Sequence, residues 1–505
     1  MTTHRNRRPQ LPHGWVSAQL ADIVDSIDKV NPSLNPGAEF IYLDISSIDN
    51  TEHRIASPKR YLGADAPSRA RQLVRAGDIL FSTVRTYLEN TAIVHKDYEG
   101  QVASTGFCVL RPLTPVSSRY VFYLTLSDGF VDRLTSLQRG TSYPAVRNSD
   151  VLDQLVPIAP ANEQRRIVAK IEELFSQLDA GVAALQRAKA QLQRYRQAVL
   201  KAAMTGELTR EWREAHTDQL EPASVLLERL VGTTTGAKRT QVKSVPLDSS
   251  KLAALPERWL WTNVGDIGHV SGGLTKNQTR TKYAESLPYL RVANVYADQL
   301  RLDDVSTIGV KQAELDRALL HKGDLLIVEG NGSLDQIGRV ALWDGSIPIC
   351  VHQNHIIKVR FEPVEIGEFT LHWLLSHGGR EQITRVANST SGLYTLSLSK
   401  VRALPVPLPP LAEQRQILAE VELALSHADR MEQAVKQGLA RSALLRQSIL
   451  NKAFEGALVP QDPTDEPAPA LLERITAEKP GREADTKQTG KQHKKKEPDQ
   501  PSPFS

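Results

Sequence analysis

Residues 157–180 read PIAPANEQRRIVAKIEELFSQLDA, and residues 407–430 read PLPPLAEQRQILAEVELALSHADR. The two stretches lie 250 positions apart and align without a gap. Pro157/Pro407, Pro160/Pro410, Glu163/Glu413, Gln164/Gln414, Arg165/Arg415 and Ile167/Ile417 are identical pairs, as are Arg196/Arg446, Gln197/Gln447, Leu200/Leu450 and Gly206/Gly456 further on. A repeat with so long a period is a duplication of whole domains rather than a solenoid. Each copy reads as one long helix. Pro160 and Pro410 suit a first turn, where a missing N–H forfeits no bond. Glu163 and Glu413 complement the positive end of the dipole, and Gly206 and Gly456 suit the left-handed cap. Ile171, Leu178, Leu185, Leu192 and Val199 recur every seven residues, with Ile167, Leu174 and Tyr195 beside them. Val421, Ala428, Val435, Ser442 and Ile449 do the same in the second copy, with Ile417, Met431 and Leu445. This heptad pattern predicts a coiled coil. About 40 helical residues at ~1.5 Å each make a rigid spacer of roughly 60 Å. Equal length and equal polarity predict an antiparallel pair.

Upstream of each helix the repeat is looser but continuous. LPHGWVSAQLADI from Leu11 answers LPERWLWTNVGDI from Leu255; RAGDILFSTVR from Arg75 answers HKGDLLIVEGN from His321; VASTGFCVLRP from Val102 answers VHQNHIIKVRF from Val351. The phrases AGDILFSTV and KGDLLIVEG are Gly-Asp turns entering apolar strands, and TLHWLLSHGG reads as a short helix, so these blocks are mixed α/β domains. The overall pattern is domain, helix, domain, helix. Residues 210–254 read as a polar linker, and the Pro-, Lys- and Gln-rich stretch 460–505 as a disordered basic tail.

The bulk properties exclude several classes. No run of about 18 apolar residues occurs, so a membrane span is not expected. Met1–Arg8 is basic, but no apolar segment of a secretory signal follows it. Cys108 and Cys350, the only two cysteines of 505 residues, cannot build a disulfide framework or a four-thiolate metal site, a composition that reads as cytoplasmic. A net charge of +4 permits nucleic-acid binding without arguing for it. The catalytic inventory is empty. No Asn/Asp-Pro-Pro-aromatic loop of a DNA methyltransferase is present, nor a GxxxxGK[ST] phosphate loop. Gly330-Asn331-Gly332 begins like a dinucleotide fingerprint, but Asp335 stands where the next glycine belongs. His352 and His355 would face opposite sides of a strand, so no metal site is expected from them.

With these phrases in hand, the chain resembles a type I restriction–modification specificity subunit over roughly residues 10–460. The most specific element is the repeated helix opening PP-x-x-EQ-x-x-I, with Ala159-Pro160 in the first copy where the second has Pro409-Pro410. The closing phrases RQAVLKAAMTGEL and RQSILNKAFEGAL fit as well. The resemblance implies an α+β fold: two pseudo-symmetric α/β target recognition domains, 1–158 and 255–408, separated by two long antiparallel coiled-coil helices, 159–209 and 409–459. It implies a non-catalytic subunit in which each domain reads one half of a bipartite double-stranded DNA target and the helices set the gap. It further implies two modification (methyltransferase) subunits with S-adenosylmethionine, and two restriction (motor-nuclease) subunits with ATP and Mg. The open alternatives are a coiled-coil assembly scaffold that does not read DNA, and a specificity subunit of a related, non-type-I bipartite restriction–methylation enzyme. A fused nuclease or methyltransferase is disfavoured by the missing motifs.

Base edges are read by Arg, Lys, Asn, Gln, Ser and Thr. The polar phrases therefore nominate Ser82, Thr83, Arg85, Asn90, Ser104, Thr105, Arg139, Thr141, Ser142 and Tyr143 in the first domain. They nominate Asn331, Ser333, Gln336, His352, Gln353, Asn354, His355, Ser389, Thr390, Ser391 and Tyr394 in the second. The helix openings nominate Glu163, Gln164, Arg165, Glu413, Gln414 and Arg415 for partner binding. Each has a local reading too, since Ser, Thr and Asn favour turns and caps.

Overall fold

The computed structural model describes residues 11–234, 247, 252–390 and 392–478. The chain divides into two compact units. One combines the residues up to Leu185 with those from Gln437 onward; the other is Gln186–Lys436. Each unit therefore contains one α/β domain, the near half of the long helix that follows it, and the far half of the other long helix.

In the first domain, a four-stranded sheet runs in the order Lys59–Leu62, Glu39–Leu43, Val102–Ser104, Ala70–Leu73, and another in the order Val24–Asp25, Phe107–Pro112, Ile79–Ser82, Thr91–Ile93. The second domain repeats the latter as Gly268–Gly272, Ile356–Phe361, Leu325–Val328, Val340–Leu342. The Gly-Asp phrase has a physical basis in both. Gly77 and Gly323 turn at φ +88° and +90°, which glycine adopts without a Cβ penalty. The aspartate that follows is buried and receives an arginine fork: Arg111 on Asp78 at 2.9 and 2.8 Å, Arg360 on Asp324 at 2.7 and 2.6 Å. Such bidentate, charge-assisted pairs fix the start of the central strand.

The two ends of each domain close on each other before the helix begins. Val16–Gln19 pairs antiparallel with Leu155–Ile158, and Leu260–Asn263 with Pro405–Leu408. The long helices then run over Ala161–Met204 and Leu411–Phe454 and end at Gly206 and Gly456, with φ +72° and +73°. They pack together in antiparallel sense. Arg446 is bonded to Asp179 in the first unit, and Arg196 to Asp429 and Glu432 in the second. Arg196/Arg446 and Asp179/Asp429 are each 250 positions apart, so the same clasp is made twice.

The seam is narrower than the heptads suggest. Ile167, Ile171, Leu192 and Val199 are buried, as are Ile417, Val421, Ala428 and Val435. Tyr195, Met431 and Leu445, expected beside them, are 46%, 59% and 43% exposed. Two helices cover only one stripe of each other, and these three side chains lie off it.

The expected linker and tail are also more structured than their composition implies. Ala223–Thr234 is a helix whose Ala223, Leu226 and Leu230 join the core of the second unit. Residues 468–478 are helical, and Ala468, Leu471 and Ile475 join the core of the first. The two segments read EPASVLLERL from Glu221 and EPAPALLERI from Glu466, a further repeat, and their docking bonds match. Ala223 N–H donates to the Arg258 carbonyl at 3.0 Å, and Ala468 N–H to the Gly14 carbonyl at 2.8 Å. The rest of the expected disordered tail, 479–505, lies outside the described residues. Among the described residues, no helix is long and apolar enough to cross a membrane.

Candidate nucleic-acid interface

In the first domain the strand Ile79–Ser82 runs out into a loop laced by backbone bonds to the hairpin 139–145. Val146 N–H donates to the Thr83 carbonyl at 2.9 Å, and Arg85 N–H to the Pro144 carbonyl at 2.8 Å. Arg139 and Ala145 exchange both backbone bonds across the hairpin. This brings together five nominated residues: Arg85, Arg139, Thr141, Ser142 and Tyr143. Arg85 donates through Nη2 to the Ser142 carbonyl at 3.0 Å, and its guanidinium carbon lies 4.9 Å from the centre of the Tyr143 ring. Tyr143 is 73% exposed. Arg139 is exposed and paired with Asp150 at 3.3 Å. Thr105 is exposed and Asn90 half-buried.

Three nominated residues of this domain do not face outward, and the reading is corrected for them. Ser82, Thr83 and Ser104 are buried. Ser82 Oγ donates to the Val84 carbonyl, Thr83 Oγ1 donates to the Gly106 carbonyl, and Ser104 Oγ accepts from Gly106 N–H. These hydroxyls satisfy backbone groups where the ladder ends, the ordinary role of Ser and Thr in turns.

The second domain repeats the lacing with different side chains. Leu396 N–H donates to the Glu329 carbonyl at 2.7 Å, the counterpart of Val146 on Thr83. Gly330–Asn331 pairs with Leu393–Thr395, which pairs with Asn388–Thr390, so Asn331 and Ser389 both stand opposite Tyr394. Thr390 ends the same ribbon, while Ser391 lies outside the described residues. Asn331 is half-buried, and its Oδ1 accepts from Ser333 N–H at 2.9 Å. Ser333 and Gln336 are exposed. Gln353 and Asn354 are half-buried, Gln353 Oε1 accepting from Val292 N–H at 3.4 Å. His355 is exposed and bonded to Glu329 at 2.9 Å.

His352 is a correction. It is wholly buried with both ring nitrogens unpartnered, so it can face no DNA. Burial, with Lys358 and Arg317 adding to it, pushes its imidazole down to about 3.

Sequence reasoning missed one cationic feature. Arg301 and Arg339 lie 3.9 and 4.6 Å from the centre of the Tyr296 ring, and neither has a carboxylate at ion-pair distance among the described residues. The phrase VYADQLR, an aromatic and an arginine flanking a tight hairpin, carried the signal.

At the helix openings, Glu163, Gln164, Glu413 and Gln414 are buried. Glu163 accepts the Trp15 indole N–H at 3.0 Å and Glu413 that of Trp259 at 2.8 Å. Gln164 and Gln414 donate to the Ala159 and Pro409 carbonyls. The repeated Glu-Gln thus ties helix to domain; of the six nominated partner residues, Arg165 and Arg415 remain at the surface. Among the described residues, no group of three His, Cys, Asp or Glu side chains could hold a metal ion.

Residues 256–433 match the family model described as the type I restriction modification DNA specificity domain. The specificity subunit of the type I restriction enzyme EcoKI from Escherichia coli strain K12 is 27% identical over 93% of this chain and 96% of its own. That of StySPI from Salmonella potsdam is 26% identical over 94% and 97%. Among solved structures, the HsdS subunit from Thermoanaerobacter tengcongensis matches with a TM-score of 0.54 and 27% identity, over 89% of this chain and 99% of the other. A chain solved in work on complex assembly and conformational transition of the type I R-M system matches with a TM-score of 0.65 and 28% identity, over the same shares.

Proposed function

This chain belongs to the type I restriction–modification specificity subunits, and from that premise we propose how its parts divide the work. Each α/β domain reads one half of a split double-stranded DNA target through its laced loops, 83–90 with 139–146 in the first and 329–336 with 392–396 in the second. The long helices set the distance between the half-sites. Two modification subunits dock on the helices, where Tyr195, Met431 and Leu445 offer exposed apolar contacts, and two motor-nuclease subunits complete the assembly. S-adenosylmethionine belongs to the former, ATP and Mg to the latter. The chain itself catalyses nothing.

The observation that carries this reading is the doubled unit. The Arg–Asp clasp, the Trp–Glu anchor and the loop lacing are each made twice, while the side chains on the loops differ between copies. A conserved frame with divergent exposed loops suits two readers of two different sequences. The test replaces residues 12–155 by the corresponding domain of another such subunit and sequences the methylated sites in cells that carry the partners. One half of the motif changes and the other stays. A change in both halves, or in neither, overturns the one-domain-one-half assignment.

A further inference from the structure

We propose that Arg85 reads a guanine in the half-site of the first domain, with Tyr143 as the plate that holds its guanidinium flat. The inference rests on the DNA-reading function above and names one residue of that site.

Arg85 sits at φ +49°, a region that disfavours residues with a Cβ. Its backbone makes two bonds, Arg85 N–H to the Pro144 carbonyl and Leu88 N–H to the Arg85 carbonyl, both of which glycine or asparagine would make with less strain, so the turn itself gives no reason for an arginine. The side chain is fixed at two points, by the Ser142 carbonyl at 3.0 Å and by the Tyr143 ring at 4.9 Å. Arg75, Arg111 and Arg139 of the same domain are ion-paired to aspartates, whereas Arg85 has no carboxylate at ion-pair distance among the described residues. Its Nε is buried with no partner. Tyr143 holds a large ring out in solvent, which benefits no core. Together they form an oriented, uncompensated cationic fork at an exposed edge.

A phosphate contact needs charge but no fixed plane. Two coplanar acceptors, as at guanine N7 and O6, need both, and arginine on guanine is the commonest specific contact in the major groove. The repeat mate Asn331 is not free in the same way, because its Oδ1 already accepts from Ser333 N–H. The proposal is therefore confined to the first domain.

The test uses the full chain co-purified with its modification subunits, methylating a library of DNA sites that is then sequenced. The wild type fixes a guanine in the first half-site. Arg85→Ala relaxes that position alone, by about 5- to 150-fold in discrimination, and leaves the second half-site intact. Arg85→Lys weakens it too, since an ammonium on a flexible stem can reach both acceptors but has no plane for Tyr143 to hold. Tyr143→Phe, which keeps the ring, retains the motif. An unchanged motif in Arg85→Ala overturns the proposal. So does a uniform loss on all sequences with a shallower salt dependence and wild-type behaviour in Arg85→Lys, which marks a phosphate contact. A wild-type complex that methylates no bipartite motif overturns the DNA-reading function itself, a result distinct from either. Thermal unfolding of each variant shows that it is folded; should Arg85→Ala not fold, Arg85→Lys decides between base and phosphate.

Discussion

Trp259 donates its indole N–H to the Glu413 carboxylate over 2.8 Å, at a point where Glu413 is wholly enclosed. The same carboxylate receives Thr209 at 2.8 Å and Arg213 at 2.7 Å. Its repeat mate Glu163 receives Trp15 through one oxygen, and the other oxygen is buried without a partner. Burial raises the Glu163 carboxyl above its ordinary range. One repeated residue thus sits in two unequal environments. Glu413→Gln leaves Arg213 without its carboxylate and is expected to cost about 3 kcal/mol. Glu163→Gln keeps an acceptor for Trp15 and removes a buried charge that has one oxygen unpartnered, so its denaturation midpoint is expected to equal or exceed that of the wild type. Urea unfolding of the two variants at pH 7 checks both; equal losses would show that the difference in bonding carries no weight.

A second prediction concerns acid. The His352 imidazole is pushed down to about 3 and that of His372, also by burial, to about 4. An unfolded histidine titrates near 6.5. Both groups are neutral in the fold and take up protons once unfolded. The stability tied to them is fully present above about pH 6.5 and is lost as pH falls toward the folded values. The urea midpoint is expected to fall between pH 7 and pH 5. His352→Leu, which removes two unpartnered nitrogens, is expected to keep the wild-type midpoint at pH 7 and to lose less on acidification. An identical acid loss in the variant would show that His352 is not a source of it.

A third prediction concerns the segment after the second long helix. A chain ending at Pro460 lacks Ala468, Leu471 and Ile475, which complete the first unit's core, and Asp465, which pairs with Arg166 at 2.7 Å. Burying a leucine or isoleucine contributes roughly 1.5–3 kcal/mol. This truncation is expected to lower the unfolding midpoint relative to a chain ending at Glu478. Equal midpoints would mean that the docked helix 468–478 contributes nothing to stability.

A fourth prediction concerns the ruler. The helices pair through Asp179–Arg446 and Arg196–Asp429, so an insertion in one helix alone shifts one clasp by a turn. Four residues inserted after Ala183, matched by four after Arg441, keep both clasps and add ~6 Å, close to two base-pair steps. The double insertion is expected to widen the unread gap in the methylated motif by one or two base pairs with both half-sites unchanged. Methylated genomic DNA from cells with the partner subunits reads this out. An active variant with the original gap would show that the helices do not set the spacing.

What the sequence disclosed, and what it hid, follows from how each feature is encoded. The long helices were legible nearly to their ends because proline, glutamate and glycine punctuate them and the punctuation is written twice. The Gly-Asp strands were legible for the same reason. The helices 223–234 and 468–478 were missed although they too are repeated, because the Pro, Lys and Ser content around them reads as linker and tail. At the site, residue type alone could not separate Thr141 and Ser142, which are exposed, from Ser82, Thr83 and Ser104, whose hydroxyls finish a ladder. That distinction depends on which carbonyls the fold leaves open, a tertiary property. The repeated Glu-Gln misled differently: its recurrence marks an anchor to Trp15 and Trp259 rather than a surface for a partner.

The division into units has a consequence for synthesis. The second unit is continuous, Gln186–Lys436, whereas the first needs residues from both sides of it. Trp15, Ile23 and Phe130 share a core with Leu450, Phe454 and Leu471. On the ribosome, those partners emerge some 250 residues after Leu185, a delay of roughly 10–50 s at ordinary elongation rates. The unit begun first is the one finished last. Through that interval its open apolar face is a natural substrate for a chaperone, and a stalled or truncated transcript would release a chain whose later-made half is the sounder one.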